Sequence, residues 1–129
     1  MRVNVDFTKI DSDRLTSEGI HEFTVAKCKM APAKSNPAKT VMNVELDIQD
    51  ERDSGGNPKK VWHTFSQDPQ ALWVMRQFCN ACGIYPDENG FDTEQLLGRR
   101  GRAHVLQEKG EGAYADKVKN TCQEFLPLA

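Results

Sequence analysis

The 129-residue sequence has no apolar run near the roughly 20 residues that cross a bilayer, and its opening, MRVNVDFTKID, lacks the apolar segment of a secretory signal. These absences predict a soluble, intracellular, cytoplasmic chain with no membrane partner. Cysteine is scarce. Cys28, Cys79, Cys82 and Cys122 are too few and too scattered for the disulfide framework of a small secreted scaffold, so reduced thiols are expected. An excess of one charge is also missing: 17 Lys and Arg against 19 Asp and Glu leave a formal charge of -2. That balance excludes a polycation of the histone type, and any nucleic-acid site must be a local patch.

Catalytic signatures are absent as well. His21, His63 and His104 stand alone, and paired carboxylates occur only in loops such as Asp50-Glu51. Gly55-Gly56 and the run GRRGR match neither a Walker nor a dinucleotide fingerprint. Cys79-x-x-Cys82 invites a zinc or a redox reading, yet it falls late in a helical pattern, on the side of Leu72 and Met75. A reactive pair prefers a helix N-terminus, whose dipole stabilises thiolate, so core packing is the first reading. The sequence is therefore read as a protein without enzymatic activity, metal or cofactor.

What is present is a pattern of strands. At 14.5 kDa the chain suits one domain, and a mean hydropathy of -0.65 with 28% charged residues predicts a modest core under a wet surface. Residues 1–18 keep no period and read as an extended arm packed on the body. Residues 19–30 alternate with a phase change near Ala26 and Lys27, the mark of a bulge. After a proline-containing loop over 31–39, Met42, Val44, Leu46 and Ile48 alternate with polar residues over 40–49, a half-buried strand. Residues 50–58 form a turn, with Gly55-Gly56 at positive φ and Pro58 halting pairing. A third strand follows over 59–66.

Asp68-Pro69 reads as an N-cap and first helical residue, and Leu72, Met75, Phe78, Cys79 and Cys82 recur at helical spacing. Gly83 fits the C-cap, so the helix spans about 69–82. A short helical turn over 93–97 and strands over 99–109 and 113–125 complete the order β-β-β-α-β-β. That is the chain order of the five-stranded OB-fold barrel, all-β with one helix, whose second and third strands bind oligonucleotides or oligosaccharides. An α+β sandwich of the same elements fits almost as well.

Several segments carry a resemblance: VDF at 5–7, EGIHEFTV at 18–25, SNPAKTVMNVELDI at 35–48, VWHTFSQDPQALWVMRQFCNACGI at 61–84, and the stretch 96–127. Their layout includes a Leu-Trp-x-x-x-x-Phe-x-x-x-x-Gly helix at 72–83, Leu96-x-Gly98, and Lys117-x-Lys119. It resembles a family of small bacteriophage single-stranded-DNA-binding proteins, often known only as a domain of unknown function. The resemblance implies a single OB-fold domain over 1–129 that coats single-stranded DNA in phage replication or recombination, with phage or host replication and recombination proteins as further partners. The chain ends in FLPLA without an acidic tail, which argues against tail-mediated recruitment.

Binding a single strand requires cations against phosphates and flat rings against bases. Candidate cations are Lys27 and Lys29 on strand one, Lys34 and Lys39 beside the first loop, and Lys59 and Lys60 opening strand three. Arg99, Arg100 and Arg102 enter strand four, and Lys117 and Lys119 share a face of strand five. The alternative is that they only solvate an acidic body. Acidic residues concentrate elsewhere, at 11–13, 50–53 and 87–92. Trp62, Phe65 and Tyr114 are candidate stacking platforms, whereas Phe23, Phe78 and Trp73 suit packing. By strand parity Val61, His63 and Phe65 share the core face and Trp62 and Thr64 point outward, unless Trp62 packs on the arm. The competing function is an OB-like protein-interaction module in a phage replication or recombination complex, for which the acidic balance speaks.

Overall fold

The computed structural model describes residues 1–3, 13–109 and 118–128. The alternation in the second segment produces β2 (Thr40–Arg52), whose Met42, Val44, Leu46 and Ile48 are all buried while Asn43, Glu45 and Asp47 turn outward. Around it, β1 (Gly19–Pro32), β3 (Pro58–Ser66), β4 (Arg100–Lys109) and β5 (Val118–Leu126) form one antiparallel sheet in the order β3-β2-β1-β4-β5. One α-helix, α1 (Leu72–Ala81), packs on it. Among the described residues the fold is thus all-β with one complete α-helix; Asp13 and Arg14, expected in an extended arm, are helical as well. Among the described residues no hydrogen-bonded ladder joins β3 to β5. Those end strands meet through rings instead, with Phe125 centred 5.5 Å from Phe65 and 5.4 Å from His63.

The phase change in β1 is a bulge at Ala26: Val25 pairs with Leu46 and Lys27 with Glu45. Before it His21, Phe23 and Val25 face inward; after it Lys27 and Lys29 turn outward, because one extra residue reverses the pleat. A second bulge, at Gln123, separates the pairs Val105 with Cys122 and His104 with Glu124.

Two turn details differ from expectation. Only Gly56 takes positive φ (81°), and Asp53 Oδ1 accepts the amides of Gly55 (2.9 Å) and Asn57 (3.0 Å). Pro58 does not stop the pairing but begins β3 opposite Arg52, a position that asks no amide of it.

The helix begins as a 3-10 turn over Pro69–Ala71, and the carboxylate of Asp68 holds Lys39 Nζ at 3.1 Å instead of capping backbone amides. At its end Gly83, with φ of 81°, donates to the Asn80 carbonyl (3.0 Å), and Ile84 donates to that of Cys79 (2.9 Å), a Schellman motif. Met75, Phe78, Cys79 and Cys82 face the sheet. Trp73, expected to pack, is 59% exposed. It stands two residues before Met75, about 160° round a 3.6-residue helix from the buried side. The turn expected over 93–97 is a 3-10 helix, Thr93–Leu96, closed by a capping box between Asp92 and Gln95.

The described end of the arm is bound tightly. Asn120 brackets Thr16, accepting its amide (2.8 Å) and donating to its carbonyl (2.8 Å), while Asp13 accepts from Ser54 N (2.7 Å). Ser17 binds Glu51 through its hydroxyl and amide, and buried His21 joins Asp50 (2.8 Å) to the Ser17 carbonyl (2.8 Å). Burial pushes the Glu51 carboxyl up, but the Ser17 hydrogen bonds and the charges of His21 and Lys59 outweigh it and hold it below its ordinary value. Residues 13–18 thereby tie the β2–β3 turn to β5. No described helix is long and apolar enough to cross a membrane.

Candidate nucleic-acid interface

The outward faces of β1, β2 and β3 carry two rows of side chains. Lys27, Glu45 and Trp62 lie opposite one another, and Lys29, Asn43 and Thr64 form the next row. Strand parity sets this arrangement, since Val61 and Phe65 are buried on the other side of β3. The Trp62 indole is 58% exposed, and its Nε1 donates to Glu45 Oε1 at 3.1 Å. That bond fixes the ring while leaving much of its surface open. Thr64 Oγ1 donates to Asn43 Oδ1 at 2.7 Å.

Two carboxylates on this face were missed by reading acidic clusters along the chain. Lys60 Nζ lies 2.6 Å from Asp47 Oδ1 and 3.6 Å from Glu45 Oε2, and the hydrogen bond to Asp47, aided by both charges, raises its pKa. Its charge is consumed within the face. Lys27 and Lys29 are exposed and make no salt bridge among the described residues, so they supply open positive charge beside Trp62 and leave the face with one lysine more than it has carboxylates. The signal for Glu45, Asp47 and Asn43 existed in the β2 alternation; what was lacking was the register that sets them against Trp62.

The other expected residues are dispersed. Lys34 is exposed in the β1–β2 loop, and Lys39, at the end of that loop, is tied to Asp68. Lys59 lines a cleft with Lys60 and Trp62 but shares the parity of Val61, and its Nζ donates to the Leu15 carbonyl (2.9 Å) with Glu51 at 3.6 Å. Arg100 pairs with Glu22, and Arg102 Nε donates to the Pro127 carbonyl at 2.9 Å. Lys119 is exposed opposite Glu108 on β4. Phe65 is only 2% exposed and cannot stack a base. Tyr114 and Lys117 lie outside the described residues, as do residues 4–12 of the arm and the expected start of strand five.

The thiols belong to the interior. Burial pushes Cys79, Cys82 and Cys122 up to about 12 and raises half-buried Cys28, so thiolate is suppressed where a ligand or nucleophile would need it. Among the described residues no three His, Cys, Asp or Glu side chains converge as metal ligands do. His63 lies between Phe65 and Phe125, and burial lowers its pKa to about 4.

The class defined so far is a small antiparallel-sheet protein with one helix and an exposed face that combines an indole, amide and hydroxyl groups, and lysines. Comparison with protein-family models finds no match, and comparison with curated proteins finds none either.

Proposed function

We propose that the protein is an OB-fold single-stranded-DNA-binding protein of phage replication or recombination, which holds the strand without strong sequence preference on the outward face of β1–β3. The observation that carries this reading is Trp62: an exposed indole held by Glu45, in one row with Lys27 and next to Lys29. A base stacks on the ring whatever its identity, because every base offers a π-face. Lys27 and Lys29 replace counterions on the flanking phosphates, and Lys34 extends the cationic surface along the β1–β2 loop. Asn43 and Thr64 supply hydrogen-bonding groups beside the stack. The fold supports the reading through β1, which pairs with both β2 and β4, and through the ring contacts between β3 and β5. In OB-folds the face of strands two and three with its adjoining loops is the binding surface. The two carboxylates do not defeat it, since Lys27, Lys29 and Lys60 together outnumber them on this face.

Titration with a thymidine oligomer and with duplex DNA tests the proposal. Single strands are expected to bind more tightly, and Trp62→Ala to weaken that binding by about 1–3 kcal/mol while the salt slope stays nearly constant. Equal binding of duplex, or unchanged affinity in a folded Trp62→Ala protein, would favour a protein-interaction module instead.

A further inference from the structure

A second surface lies on α1, away from Trp62. Trp73 and Arg76 are exposed three residues apart on the helix, and half-buried Gln77 and Asn80, four and seven residues after Trp73, continue the same side towards β5, where Gln77 Oε1 accepts the Phe125 amide (3.0 Å). Trp73 is 59% and Tyr85 77% exposed, uncommon for large rings in a chain with only 8% aromatics. Two clefts of about 410 Å³ each flank Tyr85. The first is bounded by Trp73 and Arg76; the second by Arg99 and Arg100; Asn80 and Pro127 line both. No described residue lining either cleft is acidic. On the other side of Trp73 a larger cleft, about 770 Å³, contains Asp87 and Glu88, which repel an anion.

We propose that the path Trp73–Arg76–Tyr85–Arg99 holds a second stretch of the same single-stranded nucleic acid, an inference that rests on the function proposed above. Rings alternate with guanidinium groups along it, the pattern that lets bases stack while phosphates are neutralised and planar guanidinium groups stack as well. Charge decides the route: the strand follows the two clefts without carboxylates and avoids the larger acidic one. Arg100, paired with Glu22, marks where the two surfaces approach each other. It lies opposite Thr24 on β1, and Thr24 in turn lies opposite Asp47 of the Trp62 face. A short oligomer therefore occupies the sheet face alone, and a longer one continues round the edge to the helix.

The sequence holds only two tryptophans, one on each surface, so each reports its own site. Trp62→Phe leaves Trp73 as the sole indole, and Trp73→Phe leaves Trp62. A thymidine oligomer of about 5 nucleotides is expected to quench Trp62 alone, and one of about 16 nucleotides, the upper end for such folds, to quench both. Arg76→Ala with Tyr85→Ala should cut the gain in affinity from the short to the long oligomer at least fivefold, with melting curves recorded for each variant. Trp73 that stays unquenched by the long oligomer while Trp62 responds overturns this inference and leaves the function intact. Silence of both indoles, with no binding, defeats the function and this extension together. Quenching of Trp73 by polyglutamate as strong as that by the oligomer overturns the ligand class in favour of an acidic protein segment. The fluorescence of Trp73 in the Trp62→Phe protein decides the matter even if the double substitution unfolds the chain.

Discussion

His63 stands where a charge is costly. Its ring is centred 4.5 Å from that of Phe65 and 5.4 Å from that of Phe125, and burial lowers its pKa from 6.5 to about 4. Between those values the unfolded chain binds a proton that the folded chain refuses, so stability rises with pH across that window. The contribution is complete above pH 6.5 and is lost as pH falls towards 4, amounting to about 3 kcal/mol. Urea midpoints measured from pH 7.5 to 4 are expected to fall, and His63→Gln should flatten the decline relative to the natural protein. Parallel declines in both would show that other groups carry it. The inward position of His63 was legible because the period of a strand is two and Val61 and Phe65 bracket it. Trp73 was equally legible from its helical phase, but its size suggested burial, and size does not set direction. The register that sets Glu45 against Trp62 was not legible, because pairing is decided by the partner strand.

Elements meet where backbone approaches backbone. Gly101 of β4 lies opposite Phe23 of β1, and a Cβ there would stand 2.9 Å from Phe23 Cζ and 3.1 Å from the carbonyl oxygen of Ala81 in α1. Neither neighbour has room to give: Phe23 is fully buried beside Phe78 and Phe125, and Ala81 O is helix backbone. Glycine lets the helix end settle on the sheet. Gly101→Ala is therefore expected to destabilise the fold by about 1–3 kcal/mol, although alanine suits a strand better than glycine does elsewhere. A thermal or urea melt reads the change, and an unchanged midpoint would mean that the helix end shifts without cost. The run GRRGR thus owes this glycine to packing and not to phosphate. Local signals announced the bulge at Ala26, the short turn over 93–97 and the glycine at the helix end, since each depends on neighbours in sequence. The bulge at Gln123 and the position of β1 between β2 and β4 depend on distant pairing and left no such trace.

At the scale of the molecule, the question is which lysines face solvent as an open charge and which hold the fold together. A formal charge of -2 offers little long-range attraction for DNA, so the salt dependence must come from a few local contacts. Lys27 and Lys29 stand exposed on the sheet face with no salt bridge among the described residues. Lys59, adjacent in sequence to Lys60 and grouped with it by any reading of charge runs, has a side chain only 12% exposed. It binds the Leu15 carbonyl and Glu51, and so helps hold residues 13–18 over the ends of β3 and β5. The two kinds of lysine predict opposite phenotypes. Lys27→Ala and Lys29→Ala should each reduce the magnitude of the slope of log K against log salt by about 0.7, the value for one phosphate contact on a single strand, with little change in melting temperature. Lys59→Ala should leave that slope in place and lower stability by about 1–3 kcal/mol, because a buried carbonyl and a carboxylate lose their cation. Titrations with a thymidine oligomer at several salt concentrations, alongside melting curves, separate the two. A reduced slope in a fully stable Lys59→Ala protein would mean that the strand runs over the arm rather than across β1–β3.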